Sequence, residues 1–203
     1  MRPRASCLRR AVLKSLNAKT PPGSRPLRDL EPTEIATRFE RALGCADGAT
    51  GAHCVHELWM RGVLGADIER CLARLWSRSA DSIPDWLPMR YVEWLPNLYD
   101  IASRFRAGVR GRSNIYLVLL DYSDSRPEPY GLYVGMSRYS PMQRFDQHKA
   151  GIRAAGSVQK RGLEALTGPT LHLQRIQRAE AERIEVQMAE VLAASGLFVK
   201  GGH

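Results

Sequence analysis

Apolar residues recur at helical spacing through the first half of the chain, and the pattern changes abruptly in the second. Pro32 and Thr33 open a run in which Ile35, Phe39 and Leu43 share one stripe, and Gly44 is where that helix should stop. Gly48 and Gly51 read as bracketing a loop. Val55, Leu58, Trp59 and Val63 then predict a second helix. Ile68, Cys71, Leu72 and Leu75 predict a third, with Asp67 in its first turn, where the helix dipole favours an acid. The run Ser82-Ile83-Pro84-Asp85 predicts a turn, and a fourth helix is expected over about Tyr91 to Phe105.

From Arg112 onward the period shortens. Ile115 to Leu120 is a continuous apolar run rich in branched and aromatic side chains, which predicts a strand. Residues 122–129 are polar with two prolines and predict a hairpin loop, and Tyr130 to Met136 predicts the returning strand. Ser140-Pro141 is a helix start, serine as N-cap and proline at the first helical position. Leu171, Leu173 and Ile176 predict a third strand. Ala179 to Ala194 predicts a last helix that Gly196 would cap. The expected fold class is α+β. A basic flexible arm (1–30) leads into a helical domain (31–110), and then into a small antiparallel three-stranded sheet flanked by helices (111–203).

Composition adds a partner class. The 203 residues are 44% apolar, enough for a core. No run approaches the roughly 18 apolar residues of a membrane helix, so no membrane partner is expected. The net charge of +9 is unevenly placed: +7 over residues 1–30, −4 over 31–100, +8 over 101–178 and −2 over 179–203. A basic block over the second half favours polyanionic partners. Cys7, Cys45, Cys54 and Cys71 have neither the paired spacing of a zinc site nor the density of a disulfide framework, so reduced thiols are expected. The basic N-terminal segment lacks the continuous apolar run of a secretory signal. A cytoplasmic protein is expected, with organellar targeting by that basic segment left open. Trp59, Trp76, Trp86 and Trp94 all fall in the helical half and are expected to pack it.

The candidate chemistry lies in the hairpin and in the helices after it. Side chains alternate along a strand, so Tyr116 shares a face with Val118 and Leu120, and Tyr133 with Gly131 and Gly135. Pairing of the strands would bring the two tyrosines together, with the glycines keeping that face open. Arg144 and His148 are four apart and share one helix face. Arginine suits phosphate oxygens, and histidine suits a proton or phosphate near neutral pH. Glu180, Glu182 and Glu190 crowd the last helix beside Glu185, and the sequence alone does not choose Glu185 over Glu182.

Asn114-Ile115-Tyr116, Tyr133-Val134-Gly135, Arg144 and Glu185, in this order, resemble the GIY-YIG nuclease family over about residues 112–203. The resemblance implies a DNA endonuclease, a phosphodiester hydrolase in which Glu185 holds a single Mg²⁺ or Mn²⁺. Arg144 would bind a non-bridging phosphate oxygen. Tyr116 would act as general base, assisted by His148, and Tyr133 would position water or phosphate. DNA is the expected partner ahead of RNA, contacted through Gly135, Ser137, Arg138, Lys149, Arg153, Lys160 and Arg161. The helical N-terminal region is expected to supply specificity or a protein contact. Two positions depart from the family: Asn114 stands where the first motif has glycine, and no asparagine comes after Glu185. The alternative is a domain of the same fold that binds nucleic acid or a protein without cleaving.

Overall fold

The structure, a computed structural model, describes residues 16–201. The first half of the basic arm expected over residues 1–30 lies outside them. Contacts divide the chain into two compact units that meet in sequence at Pro84 and Asp85.

The first unit is helical: α1 (Pro32–Cys45), α2 (Gly48–Met60) and α3 (Gly65–Ser79). Glu31 and Glu34 form a reciprocal capping box at the start of α1. Helix α2 packs on both α1 and α3, and its residues Gly48 to Glu57 are buried all round. Gly48 and Gly51, read from sequence as loop markers, lie inside it. A Cβ on Gly48 would come 2.6 Å from the Ser82 backbone, and one on Gly51 would come 2.4 Å from Leu75. These glycines let segments approach closely instead of breaking the helix. Residues 20–30, expected at the end of a flexible arm, pack on this unit. Leu27 is buried, and Arg25 and Arg61 converge on the buried carboxylate of Glu57. Among the described residues Cys54 and Cys71 are free thiols.

The second unit is α+β. It contains α4 (Leu95–Arg104), β1 (Arg110–Asp121), β2 (Tyr130–Ser137), α5 (Pro141–Lys149), α6 (Gly156–Arg161), β3 (Gly162–Ala165), α7 (Arg178–Ala194) and β4 (Val199–Gly201). The fourth helix therefore belongs with the sheet, packed against α7, rather than with the helices before it in sequence. The strand order is β3-β1-β2-β4. Strand β1 is antiparallel to β2 on one side and to β3 on the other, and β4 runs parallel to β2. The sheet is thus four-stranded and mixed, not three-stranded and antiparallel.

The third strand is also displaced from its expected place. Gly168–Leu173 is a 3-10 helix, and the pairing strand is the four-residue β3, which carries a glycine and a glutamate. Its stability comes from pairing with β1 across the chain, so its own residues signal little. The same holds for β4. The face of β1 formed by Tyr116, Val118, Leu120 and Tyr122 packs against Val158 of α6, with Phe145 of α5 alongside. Helix α7 packs on β1, β2 and β4. Every side chain from Ile115 to Leu120 is buried, so both faces of β1 are covered. Among the described residues no helix is long and apolar enough to cross a membrane.

Candidate functional site

The register of the hairpin sets the site. Tyr116 pairs with Gly135, and Val118 with Tyr133, so the tyrosines are diagonal neighbours on one face. Their ring centroids are 5.9 Å apart. Gly135 is needed here because the Tyr116 side chain lies across it: a Cβ would sit 2.6 Å from the Tyr116 hydroxyl and 2.7 Å from the Tyr133 ring.

Helix α5 brings His148 to the same place. Ser140 starts this helix by accepting from the Gln143 N–H at 3.3 Å while the Gln143 side chain accepts from the Ser140 N–H at 3.2 Å, a capping box. His148 is 1% exposed, and its ring lies 5.9 Å from both tyrosine rings. Its Nδ1 accepts from the Ala155 N–H at 2.9 Å, and its Nε2 lies 2.8 Å from the Tyr116 hydroxyl. Burial, with the Arg144 charge beside it, pulls the histidine down to about 4, so it is neutral near pH 7. A neutral ring whose Nδ1 accepts carries its proton on Nε2. His148 therefore donates to the Tyr116 oxygen.

Tyr116 is 2% exposed, and burial, reinforced by Tyr133, drives its pKa far above the ordinary tyrosine value. With His148 donating to its oxygen, its own proton turns to Tyr133. Burial raises Tyr133 as well, and the hydrogen bond from Tyr116 works the other way, easing its ionisation. The result is a directed run of donors, Ala155 N–H to His148 to Tyr116, beside Tyr133, which is only partly buried.

Arg144 acts electrostatically on Tyr116, Tyr133 and His148 together. Its guanidinium also donates to the carbonyls of Ile152 (3.1 Å) and Arg153 (2.7 Å) and to Gln147 (3.2 Å). It is thus both part of the site and the clasp of the turn after α5.

Glu185 projects from α7. It is 9% exposed, accepts from the Met136 backbone N–H, and bears on Tyr133 through its charge. Burial raises its pKa, the Met136 N–H opposes this, and Glu182 adds to it. No cation figures among these influences. Glu182, the other glutamate that spacing left open, is exposed and paired with Arg178 at 2.8 Å. The described residues hold no cluster of three metal-ligating side chains. A closed structural metal centre does not fit this donor set. A hard divalent cation held by one carboxylate, with water and substrate oxygens completing its shell, does fit.

The surrounding residues divide into two groups. Lys149 donates to the carbonyls of Gln159 (3.2 Å) and Gly162 (3.0 Å), closing the end of α6. Arg161 is paired with Asp124 and the Asp121 carbonyl and lies over the Tyr122 ring. Ser137 accepts from the Tyr139 N–H. These residues hold the fold together. Arg138, Arg153 and Lys160 are exposed.

Two residues of this region escape a sequence reading. Asn114 is buried and bridges two loops, donating to the Tyr139 carbonyl (2.9 Å) and accepting from the Arg175 N–H (2.8 Å). Its signal was its polarity at the head of an apolar strand. Lys200 of β4 pairs in register with Tyr133, on a strand too short to be read locally. Comparison with models of known protein families, with curated proteins and with solved structures finds no match.

Proposed function

We propose that the second unit is a divalent-metal-dependent phosphodiester hydrolase of GIY-YIG type that acts on DNA. The observation that carries this reading is the convergence of Tyr116, Tyr133 and His148 on one sheet face, with Arg144 charged beside all three and Glu185 acting on Tyr133. The basic surface of this half of the chain supports a polyanionic substrate.

The roles rest on burial and proton position. Glu185 would hold Mg²⁺ or Mn²⁺, which supplies charge stabilisation at the phosphate and the leaving oxygen. Tyr133, the less buried of the two tyrosines, takes the base role. Tyr116 is enclosed, so it serves as the donor that stabilises a Tyr133 phenolate, and His148 fixes Tyr116 from behind. Arg144 offsets charge that builds on the phosphate.

The test is Mg²⁺-dependent cleavage of labelled DNA by wild type, Glu185→Gln, Tyr133→Phe and Tyr116→Phe, each checked for folding by circular dichroism. Glu185→Gln and Tyr133→Phe should lose about 10²–10³ in rate, and Tyr116→Phe less. Undiminished cleavage by folded Glu185→Gln would overturn the mechanism. Salt-sensitive binding by wild type with no cleavage would leave a binding-only domain.

A further inference from the structure

Tyr139 lies in the turn between β2 and α5. Its ring is exposed, yet each of its polar groups is held. Its N–H donates to Ser137 Oγ at 3.1 Å, its carbonyl accepts from Asn114 Nδ2 at 2.9 Å, and Arg138 donates to its hydroxyl at 3.0 Å. The Arg138 guanidinium also lies over the ring, 5.1 Å from its centroid. Asn114 is buried and is itself fixed by the Arg175 N–H. A surface tyrosine is ordinarily mobile. Fixing one in advance removes an ordering cost that a ligand would otherwise meet on binding.

The charges around the ring point to the ligand. Hydrogen bonding by Arg138, then the charges of Arg138 and Arg153, hold the phenol below its ordinary pKa. Arg153 has a left-handed backbone, φ +46°, and its carbonyl is clasped by Arg144. An aromatic face flanked by exposed arginines, tied through Arg144 to the tyrosine pair, matches a base beside two phosphates.

We propose that Tyr139 is a stacking platform for a nucleobase, so that the DNA taken by this site presents an unpaired strand beside the phosphate to be cut. In a continuous duplex each base face is covered by its neighbours and only the edges are reachable. An exposed tyrosine finds a base face to stack on only where a base is unstacked or single-stranded. Arg138 and Arg153 would take the adjoining phosphates.

This inference rests on the nuclease reading, and one experiment separates the two. The full-length protein is titrated, in EDTA to prevent cleavage, into a fluorescein-labelled single-stranded oligothymidylate and into a labelled duplex of equal length, with anisotropy as the readout. Wild type should favour the single strand. Tyr139→Ala should weaken single-strand binding by about 5- to 100-fold while changing duplex binding by less than about twofold, and Tyr139→Phe should retain wild-type affinity. Equal loss on both DNAs, or no loss on the single strand, overturns the stacking role and leaves the nuclease reading standing. Absence of binding to either DNA by wild type removes both.

Discussion

Two buried glutamates on helices, Glu57 on α2 and Glu185 on α7, sit in opposite electrostatic surroundings. Burial alone would raise Glu57, but hydrogen bonds from Arg25 and Arg61 outweigh it and hold its pKa below the ordinary value. Arg25 reaches it at 3.0 and 2.6 Å, and Arg61 at 2.8 Å. Arg61 also donates to the Leu27, Arg28 and Leu30 carbonyls, closing the segment before α1. Among the described residues no cation offsets the burial of Glu185, and its pKa is raised. A carboxylate already neutralised by arginine is architecture. Glu185, with no cation beside it among the described residues, instead places its charge on Tyr133. A raised pKa by itself does not mark a site: Glu164 is also raised by burial, yet it accepts from the Met89 N–H and has Arg90 at 3.7 Å. What sets Glu185 apart is its neighbour Tyr133.

This contrast breaks most directly at Glu57. Glu57→Ala should cost about 3 kcal/mol, because it strands two arginines and loosens the segment they hold. Glu185→Ala should cost less, about 1 kcal/mol, since it removes a carboxyl that no cation among the described residues neutralises and leaves the Met136 N–H without its acceptor. Urea unfolding of the two variants checks this, and equal destabilisation would erase the distinction.

Gly135→Ala should come next, at about 1–3 kcal/mol, because its Cβ must displace the Tyr116 or Tyr133 ring. The same variant should lower any activity that depends on the tyrosine pair. An unchanged melting temperature would mean that the rings are not seated as described.

The smallest effect is a difference in acid sensitivity. His53 and His56 are held by burial at about 4 and about 3, below the ordinary 6.5. They stay neutral in the fold while the unfolded chain binds protons. Stability therefore falls as pH drops from about 6.5 toward 4. Glu57, with a lowered pKa, loses its contribution as pH falls further through its folded value. In the second unit His148 acts in the same sense, but Glu185 and Glu164 protonate more readily in the fold than unfolded and oppose it. Hydrogen exchange at pH 7 and pH 5, corrected for the intrinsic rate, should show protection lost first in α2. Loss beginning in β1 would reverse the comparison.

The parts that sequence made legible share a cause. Helix α1, the β1–β2 hairpin, the Ser140 cap and the end of α7 at Gly196 are set by residues within a few positions of one another. The parts it did not reveal depend on partners far along the chain. Gly48 and Gly51 look like turn residues until Ser82 and Leu75 are seen where their side chains would be. Strands β3 and β4 have four and three residues and exist through pairing with β1 and β2.

The candidate site divides along the same line. By itself the sequence placed Tyr116 and Tyr133 on two strands that pairing would bring together, because strand alternation is a local rule, and the register that makes them diagonal neighbours came from the fold. It likewise put Arg144 and His148 on one helix face. Only the tertiary structure decided that Glu185 is buried against Met136 while Glu182 pairs with Arg178 on the surface. It also decided that the Ala155 N–H gives His148 its tautomer, and that Lys149 and Arg161 are occupied within the fold. Local propensity acts over a turn of helix or a hairpin, whereas burial, protonation and ion pairing depend on which distant segments fold against a side chain.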